Sequence, residues 1–107
     1  MSNTIERIYV FDVSNIIIEG NYPNRLRGLS YNSSTFIKLP PLPQSLYYLN
    51  MENCMLEELP KLPEKLELLY CRSNFLRVLP KLPNTLNTLC CDKNLLQVLP
   101  KLPDDLR

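Results

Sequence analysis

The sequence predicts a mainly β solenoid, with a parallel sheet on one side of the coil and extended, proline-rich chain on the other. Two observations predict it. From Leu39 onward the sequence repeats with a period of 20 residues, and each copy combines an alternating apolar–polar stretch with two prolines. Repeats this short cannot bury their apolar residues alone and must stack on their neighbours. We expect the 107 residues to form a single domain of about five repeats.

The repeats can be read directly along the chain. Successive copies begin at Leu39, Leu59 and Leu79, followed by the partial copy LPKLPDDLR. Upstream, the segment from Tyr22 fits the same template. Residues 1–21 fit it with one extra residue, so we expect them to form a degenerate N-terminal capping repeat. No C-terminal cap is expected, because the sequence stops within a repeat.

The alternating stretch of each repeat predicts a short strand. In the copy LPKLPEKLELLYCRSNFLRV, the pattern L-x-x-L-x-L-x-x-N-x-L is carried by Leu66, Leu69, Cys71, Asn74 and Leu76. Its alternation places one face of the strand toward a core and the other outward. Strands one repeat apart should pair in parallel, about 4.8 Å from each other. The pattern is that of a leucine-rich-repeat solenoid, whose sheet lines the concave side.

The two prolines of each repeat predict the opposite, convex side. Pro60 and Pro63 lack the amide N–H that a central strand or a helix interior requires. A polyproline II conformation accommodates them, and it has three residues per turn. Leu59 and Leu62 would then both point inward, with Lys61 between them pointing outward.

Polar residues follow each predicted strand where the chain must bend. Asn74 and Asn94 occupy this position in two copies, and Cys54 and Ser34 occupy it in the copies before them. A side-chain amide can satisfy backbone groups that the bend would otherwise bury without partners. We expect the asparagines to play this structural role.

The segment LPKLPEKLELLYCRSNFLRVLPKLPNTLNTLCCDKNLLQVLP resembles the short bacterial type of leucine-rich repeat, with L-P-x-L-P in each turn. Such repeats occur in host-directed effectors of the outer protein M and invasion plasmid antigen H families, and similar ones in proteins of amoebae and large DNA viruses. The resemblance implies the repeat fold and an effector-like virulence protein delivered into the host cytoplasm. The resemblance covers the repeats. One branch of these families carries a separate ligase domain after its repeats, and the resemblance does not imply that activity for this chain.

Composition narrows the classes of function. With 12 basic and 11 acidic residues the formal net charge is +1, which argues against a nucleic-acid partner. The absence of histidine removes the commonest general base and metal ligand, and two glycines cannot form a phosphate-binding loop. No apolar run approaches the roughly 20 residues of a membrane helix. We therefore expect neither an enzyme nor a cofactor, and no membrane partner.

The four cysteines predict no metal site, because none are paired at the C-x₂₋₄-C spacing of zinc ligands. Cys71 and Cys91 should share an inward position in adjacent repeats, which leaves a disulfide between them geometrically conceivable. Cys54 should also point inward, whereas Cys90 should be exposed on the opposite face. We favour buried free thiols in a reducing, cytoplasmic compartment.

The outward positions of the predicted strands form three columns on the concave sheet. The columns are Asp12, Ser30, Asn50, Tyr70 and Cys90; Ser14, Asn32, Glu52, Arg72 and Asp92; and Val10, Gly28, Tyr48, Leu68 and Thr88. Solenoids use such surfaces to bind proteins, and tyrosine and arginine contribute most to interface energetics. We therefore expect a protein partner to bind there, with Tyr48, Leu68, Tyr70 and Arg72 at the centre.

Two other interpretations stay open. The charges of Glu52, Arg72 and Asp92 alternate along one column, which would stabilise the sheet by about 0.2–1 kcal/mol per pair without any partner. The last repeat should also leave an open strand edge and an unfinished core. The chain would then form a homodimer through its C-terminal edge.

Overall fold

In a computed structural model, the described residues are 7–11, 26–32, 41–104 and 106, with the backbone alone described for 7–11 and 31–32. The strands are β1 (Arg7–Phe11), β2 (Gly28–Asn32), β3 (Tyr48–Asn50), β4 (Leu68–Tyr70) and β5 (Thr88–Cys90). They form one sheet in the order β1-β2-β3-β4-β5, and every neighbouring pair is parallel. The described residues contain no helix, and hence none that could cross a bilayer. The predicted mainly β architecture and parallel sheet are confirmed.

The period of the sequence is also the register of the sheet. Leu29 lies opposite Leu49, Leu49 opposite Leu69, and Leu69 opposite Leu89, each 20 residues further along the chain. The same leucine of each repeat therefore recurs on the same face of neighbouring strands. This places an apolar row across the sheet, with Leu29, Leu49 and Leu69 at most 1% exposed.

The register of β1 differs from the prediction. The predicted columns placed Val10 beside Gly28, whereas Arg7 is the residue that pairs with Gly28. The observed register is therefore shifted by three residues from the predicted one. A shift by an odd number of residues exchanges the two faces of a strand, because successive side chains alternate in direction. The observed pairing places Ile8 opposite Leu29, so the apolar position of the repeat is kept by a different residue. The extra residue in the first repeat left that choice open.

The core is built from the inward residues of the strands and from the leucines that flank the prolines. Its apolar members are Leu26, Leu29, Leu42, Leu46, Leu49, Met51, Cys54, Leu56, Leu59, Leu62, Leu66, Leu69, Cys71, Leu76, Leu79, Leu82 and Leu86. They form one continuous cluster. The core thus draws its residues from successive 20-residue copies of the sequence.

The proline-rich side faces the way its spacing predicted. Leu59 and Leu62 are 7% and 5% exposed, and Lys61 between them is exposed. Residues 59–63 belong to no helix or strand. The inward direction of the two leucines is confirmed, while the polyproline II conformation itself stays a prediction.

Burial ends abruptly in the last repeat. Leu79 and Leu82 are 3% and 4% exposed, yet Leu99 and Leu102, at the same repeat positions, are 49% and 41% exposed. Each pair of leucines is therefore covered by the repeat that follows it. Leu106 packs only partly against the core.

Candidate functional site

The face of the sheet opposite the core carries half-exposed side chains. In β3, Tyr48 and Asn50 are partly exposed on either side of the buried Leu49, and β4 repeats this alternation. We call this surface the open face, and its members are Tyr48, Asn50, Leu68, Tyr70, Thr88 and Cys90. These residues alternate with the core leucines because successive side chains of a strand point to opposite faces.

The parallel register arranges the open face in two rows. Tyr48 lies opposite Leu68, and Asn50 lies opposite Tyr70. The rows continue into β5, where Leu68 faces Thr88 and Tyr70 faces Cys90. The predicted columns are confirmed for these residues, whereas their role in binding stays a prediction.

Two tyrosines meet diagonally at the centre of the open face. The ring centroids of Tyr48 and Tyr70 are 5.8 Å apart, and the rings are tilted by 56°. The side-chain amide of Asn50 donates a hydrogen bond to the Tyr48 hydroxyl at 3.3 Å. The amide oxygen of Asn50 accepts one from the backbone N–H of Glu52 at 3.1 Å. The ring pair and the amide thus hold each other in a defined geometry before any partner arrives.

The charged column beside the open face contains one ion pair. Arg72 Nε lies 3.0 Å from Asp92 Oδ1, with the two side chains 44% and 58% exposed. Exposed pairs of this kind contribute at most about 1 kcal/mol to stability. Among the described residues Glu52 forms no ion pair, so the predicted alternation of charge is realised on only one side of Arg72. The guanidinium stays accessible to a partner.

The predicted columns also include four polar residues of the first two repeats, whose outcomes differ from those of the open face. Ser30 was predicted to be exposed and is only 5% exposed, which corrects that assignment. Its short side chain sits in β2, which has a strand on each side and offers little reach to solvent. The residue that pairs with Ser30 is Tyr9, and the predicted Asp12 and Ser14 lie outside the described residues. Asn32 ends β2 and is described by its backbone alone.

A buried asparagine ties adjacent repeats together at the bend that follows the strands. The amide oxygen of Asn74 accepts hydrogen bonds from the backbone N–H groups of Cys54 and Leu56, at 2.9 and 3.0 Å. Its amide nitrogen donates to the carbonyl oxygens of Met51 and Cys71, at 2.8 and 3.1 Å. Asn74 is 4% exposed. The structural role predicted for this residue is confirmed.

The next repeat uses the same device. Asn94 donates to the carbonyl oxygens of Cys71 and Cys91, both at 2.9 Å, and accepts from the backbone N–H of Leu76 at 3.0 Å. The thiol of Cys54, at the equivalent position, donates to the carbonyl oxygen two residues earlier at 3.3 Å. Ser34, which was predicted to occupy the equivalent bend position in an earlier copy, lies outside the described residues. In the described part of the chain, no buried side-chain nitrogen or oxygen lacks a hydrogen-bond partner.

All four cysteines are free thiols. Cys54 and Cys71 are buried as predicted, whereas Cys91 is only half-buried because β5 is the last strand of the sheet. Burial raises the pKa of the Cys71 thiol to about 12, with a smaller contribution from Cys91. Burial also raises the pKa of Cys91. Within the described ranges, no group of three or more histidine, cysteine, aspartate or glutamate side chains could hold a metal ion.

We expect the free energy of unfolding to fall as the pH rises above 9. Cys71 keeps its proton in the folded state up to about pH 12, whereas the thiol of the unfolded chain ionises near 9.0. The unfolded state therefore binds fewer protons at high pH and is favoured, by up to about 1.4 kcal/mol per pH unit for this thiol. Urea unfolding at pH 7.5, 9 and 10.5 under reducing conditions measures the slope. Cys71→Ala should flatten it, and equal slopes in both proteins would contradict the assignment.

A strip of exposed apolar residues lies near the bends that follow the strands, outside the predicted columns. Met55, Phe75 and Leu95 are 46%, 47% and 49% exposed, and they recur at one position of three successive repeats. We call these three residues the flank strip. Val78 and Val98 are exposed as well. The signal was present in the sequence, as apolar residues that recur with the period but lie outside the leucine positions of the pattern.

No protein-family model matches the chain, and neither do the curated proteins or the solved structures at a significant level. A functional interpretation therefore depends on the geometry of the open face and of the flank strip. The open face contains two tyrosines and the flank strip contains a methionine and a phenylalanine, which are residue types enriched at protein interfaces.

Proposed function

We propose that the chain is a short leucine-rich-repeat solenoid of about five repeats whose concave sheet binds a protein partner. The observation that supports this most is the Tyr48–Tyr70 pair, 5.8 Å apart on the open face and held by Asn50. Tyrosines fixed in this way offer a large apolar contact area and hydroxyl groups, with little conformational entropy left to lose on binding. Arg72 at the margin is a second residue type that is enriched in binding hot spots, and Leu68 beside the tyrosines adds apolar contact area.

A binding role explains the composition better than a catalytic one. Nucleophilic catalysis by a cysteine requires an adjacent base to activate the thiol, and the sequence contains no histidine. We propose that the protein is not an enzyme and that it needs no cofactor, nucleic acid or membrane. Its resemblance to effector repeats supports action in a host cytoplasm, where four free thiols would remain reduced.

The double substitution Tyr70→Ser with Arg72→Glu tests the proposed face. Affinity capture from a cell extract, quantified by mass spectrometry, should show specific partners for the wild-type chain and their loss in this variant. Both side chains are partly or fully exposed, so the circular dichroism spectrum should stay unchanged. The matched control is Lys61→Glu with Lys81→Glu, on the proline-rich side, which should capture normally. Loss of capture in the lysine variant alone would move the binding site to that side.

A second candidate function is self-association through the last repeat. Its support is the exposure of Leu99 and Leu102, whose counterparts in the preceding repeat are buried, together with the edge of β5. A second copy that covered these leucines would complete the core and pair the strand edge. Leu99→Glu with Leu102→Glu should then convert a dimer into a monomer in size exclusion with light scattering. A wild-type chain that stays monomeric at every concentration would exclude this candidate.

A further inference from the structure

The flank strip belongs to neither of these surfaces and has no role in the core. Three large apolar side chains, Met55, Phe75 and Leu95, each remain almost half exposed. Single exposed apolar residues are ordinary on protein surfaces, but aligned exposed residues in successive repeats form a continuous apolar surface. A continuous surface of this kind indicates a contact with another molecule.

The backbone keeps the repeats in register well beyond the strands. The N–H of Asn53 donates to the carbonyl of Arg72 at 3.1 Å, and the N–H of Phe75 donates to the carbonyl of Leu56 at 2.7 Å. Position 55 of one repeat is therefore beside position 75 of the next, at about the strand spacing of 5 Å. Residues that follow the strip by two positions, Glu57 and Arg77, are aligned in the same way.

The charges beside Met55 and Phe75 have opposite signs, whereas the copy that carries Leu95 contains one acidic and one basic residue, Asp92 and Lys93. Between residues 51 and 60 the charged residues are Glu52, Glu57 and Glu58, all acidic. Between residues 71 and 80 they are Arg72 and Arg77, both basic. Glu57 and Arg77 are exposed, and neither forms an ion pair with another described residue, where Arg72–Asp92 is the single pair. Beside Met55 and Phe75 the strip thus carries an acidic and a basic side chain, Glu57 and Arg77, that form no ion pair with another described residue.

We propose that the flank strip is the contact surface of a symmetric dimer formed with a second copy of this chain. The two-fold axis lies in the interface, between the repeats that carry Met55 and Phe75. It brings Met55 against the partner's Phe75 and Glu57 against the partner's Arg77. Symmetry then produces each contact twice.

A second copy fits this surface because the acidic segment and the basic segment lie in adjacent repeats of the same molecule. Because the two-fold axis reverses the order of the repeats in the partner, the acidic segment of each chain lies opposite the basic segment of the other. The same chain therefore supplies both complementary segments. Methionine against an aromatic ring is also a favourable contact for both side chains. Since three side chains are fewer than the 20–30 residues of a standard interface, we expect a weak dimer that forms at high concentration.

Two single charge reversals test the proposal. Sedimentation equilibrium over a concentration series should show dimerisation of the wild-type chain. Glu57→Arg places arginine at both positions, and Arg77→Glu places a carboxylate at both, so each variant alone should dimerise at least about tenfold more weakly. An equimolar mixture of the two variants should recover the wild-type affinity, because each chain then faces its complement. Exposed substitutions of this kind should leave the circular dichroism spectrum unchanged.

Further variants distinguish a dimer formed through the flank strip from one formed through the last repeat or the open face. Phe75→Ser should weaken dimerisation at least about tenfold, whereas Leu102→Glu and Tyr70→Ser, on the last repeat and the open face, should leave it unchanged. A wild-type chain that stays monomeric overturns the proposal. So does a dimer that is insensitive to both charge reversals, or one that only Leu102→Glu disrupts, which would assign dimerisation to the last repeat.

Discussion

Replacement of Asn74 by alanine should lower the free energy of unfolding by about 3 kcal/mol, because it leaves several buried polar groups without partners. The side-chain amide satisfies the backbone N–H groups of Cys54 and Leu56 and the carbonyl oxygens of Met51 and Cys71. Its own exposure is 4%, so water cannot readily replace it. A buried donor or acceptor left unpaired costs about 1–3 kcal/mol.

Urea unfolding followed by circular dichroism measures this loss, and the chain contains a matched control. Asn94 makes equivalent contacts in the next repeat but is only partly buried. Asn94→Ala should cost about 1 kcal/mol, the value of an ordinary hydrogen-bonded group that solvent can reach. Equal losses in the two variants would show that burial does not set the energy of this contact.

Leu82→Ala should destabilise the protein by about 3 kcal/mol, while Leu102→Ala should cost less than about 1 kcal/mol. The two leucines occupy the same position of the L-P-x-L-P segment and differ in their surroundings, with exposed fractions of 4% and 41%. Truncation of the buried side chain removes apolar area from the core and leaves a cavity. Truncation of Leu102, which is 41% exposed, removes less buried area and leaves no enclosed cavity.

Thermal and urea unfolding of both alanine variants, at a concentration where the chain is monomeric, should rank them in this order. Because the amino-acid change and the local sequence are the same, the difference reports the repeat that covers Leu82. If Leu102→Ala proved as costly as Leu82→Ala, the last repeat would be covered in solution.

Most of the fold follows from the period of the sequence. A strict spacing of 20 residues leaves a single register in which Leu49, Leu69 and Leu89 share one row, and the strands adopt it. The inward direction of the leucines beside the prolines follows from their spacing of three. The register of strand β1 was predicted wrongly. A repeat with one extra residue allows several registers with apolar residues at the inward positions, and tertiary packing selects among them.

The candidate site could be predicted in its layout but not in its contacts. Alternation along a strand is enough to place Tyr48 and Tyr70 on the open face. The tilt of their rings and the hydrogen bond from Asn50 depend on side-chain rotamers, which the pattern does not specify. The burial of Ser30 and the exposure of Phe75 were not predicted either. Alternation gives the direction of a strand residue such as Ser30 but not how far its side chain reaches solvent, and the repeat pattern assigns no direction to Phe75.

The direction in which the asparagines bond has a consequence for how such a protein can change length. Asn74 and Asn94 each bond to backbone groups 18 to 23 residues earlier, so each of these two copies carries the side chain that links it to the preceding copy. Duplication of one such copy in the gene would therefore insert a new repeat together with the asparagine that links it to the preceding repeat. An array of this design can lengthen or shorten in evolution by whole copies without a compensating substitution elsewhere.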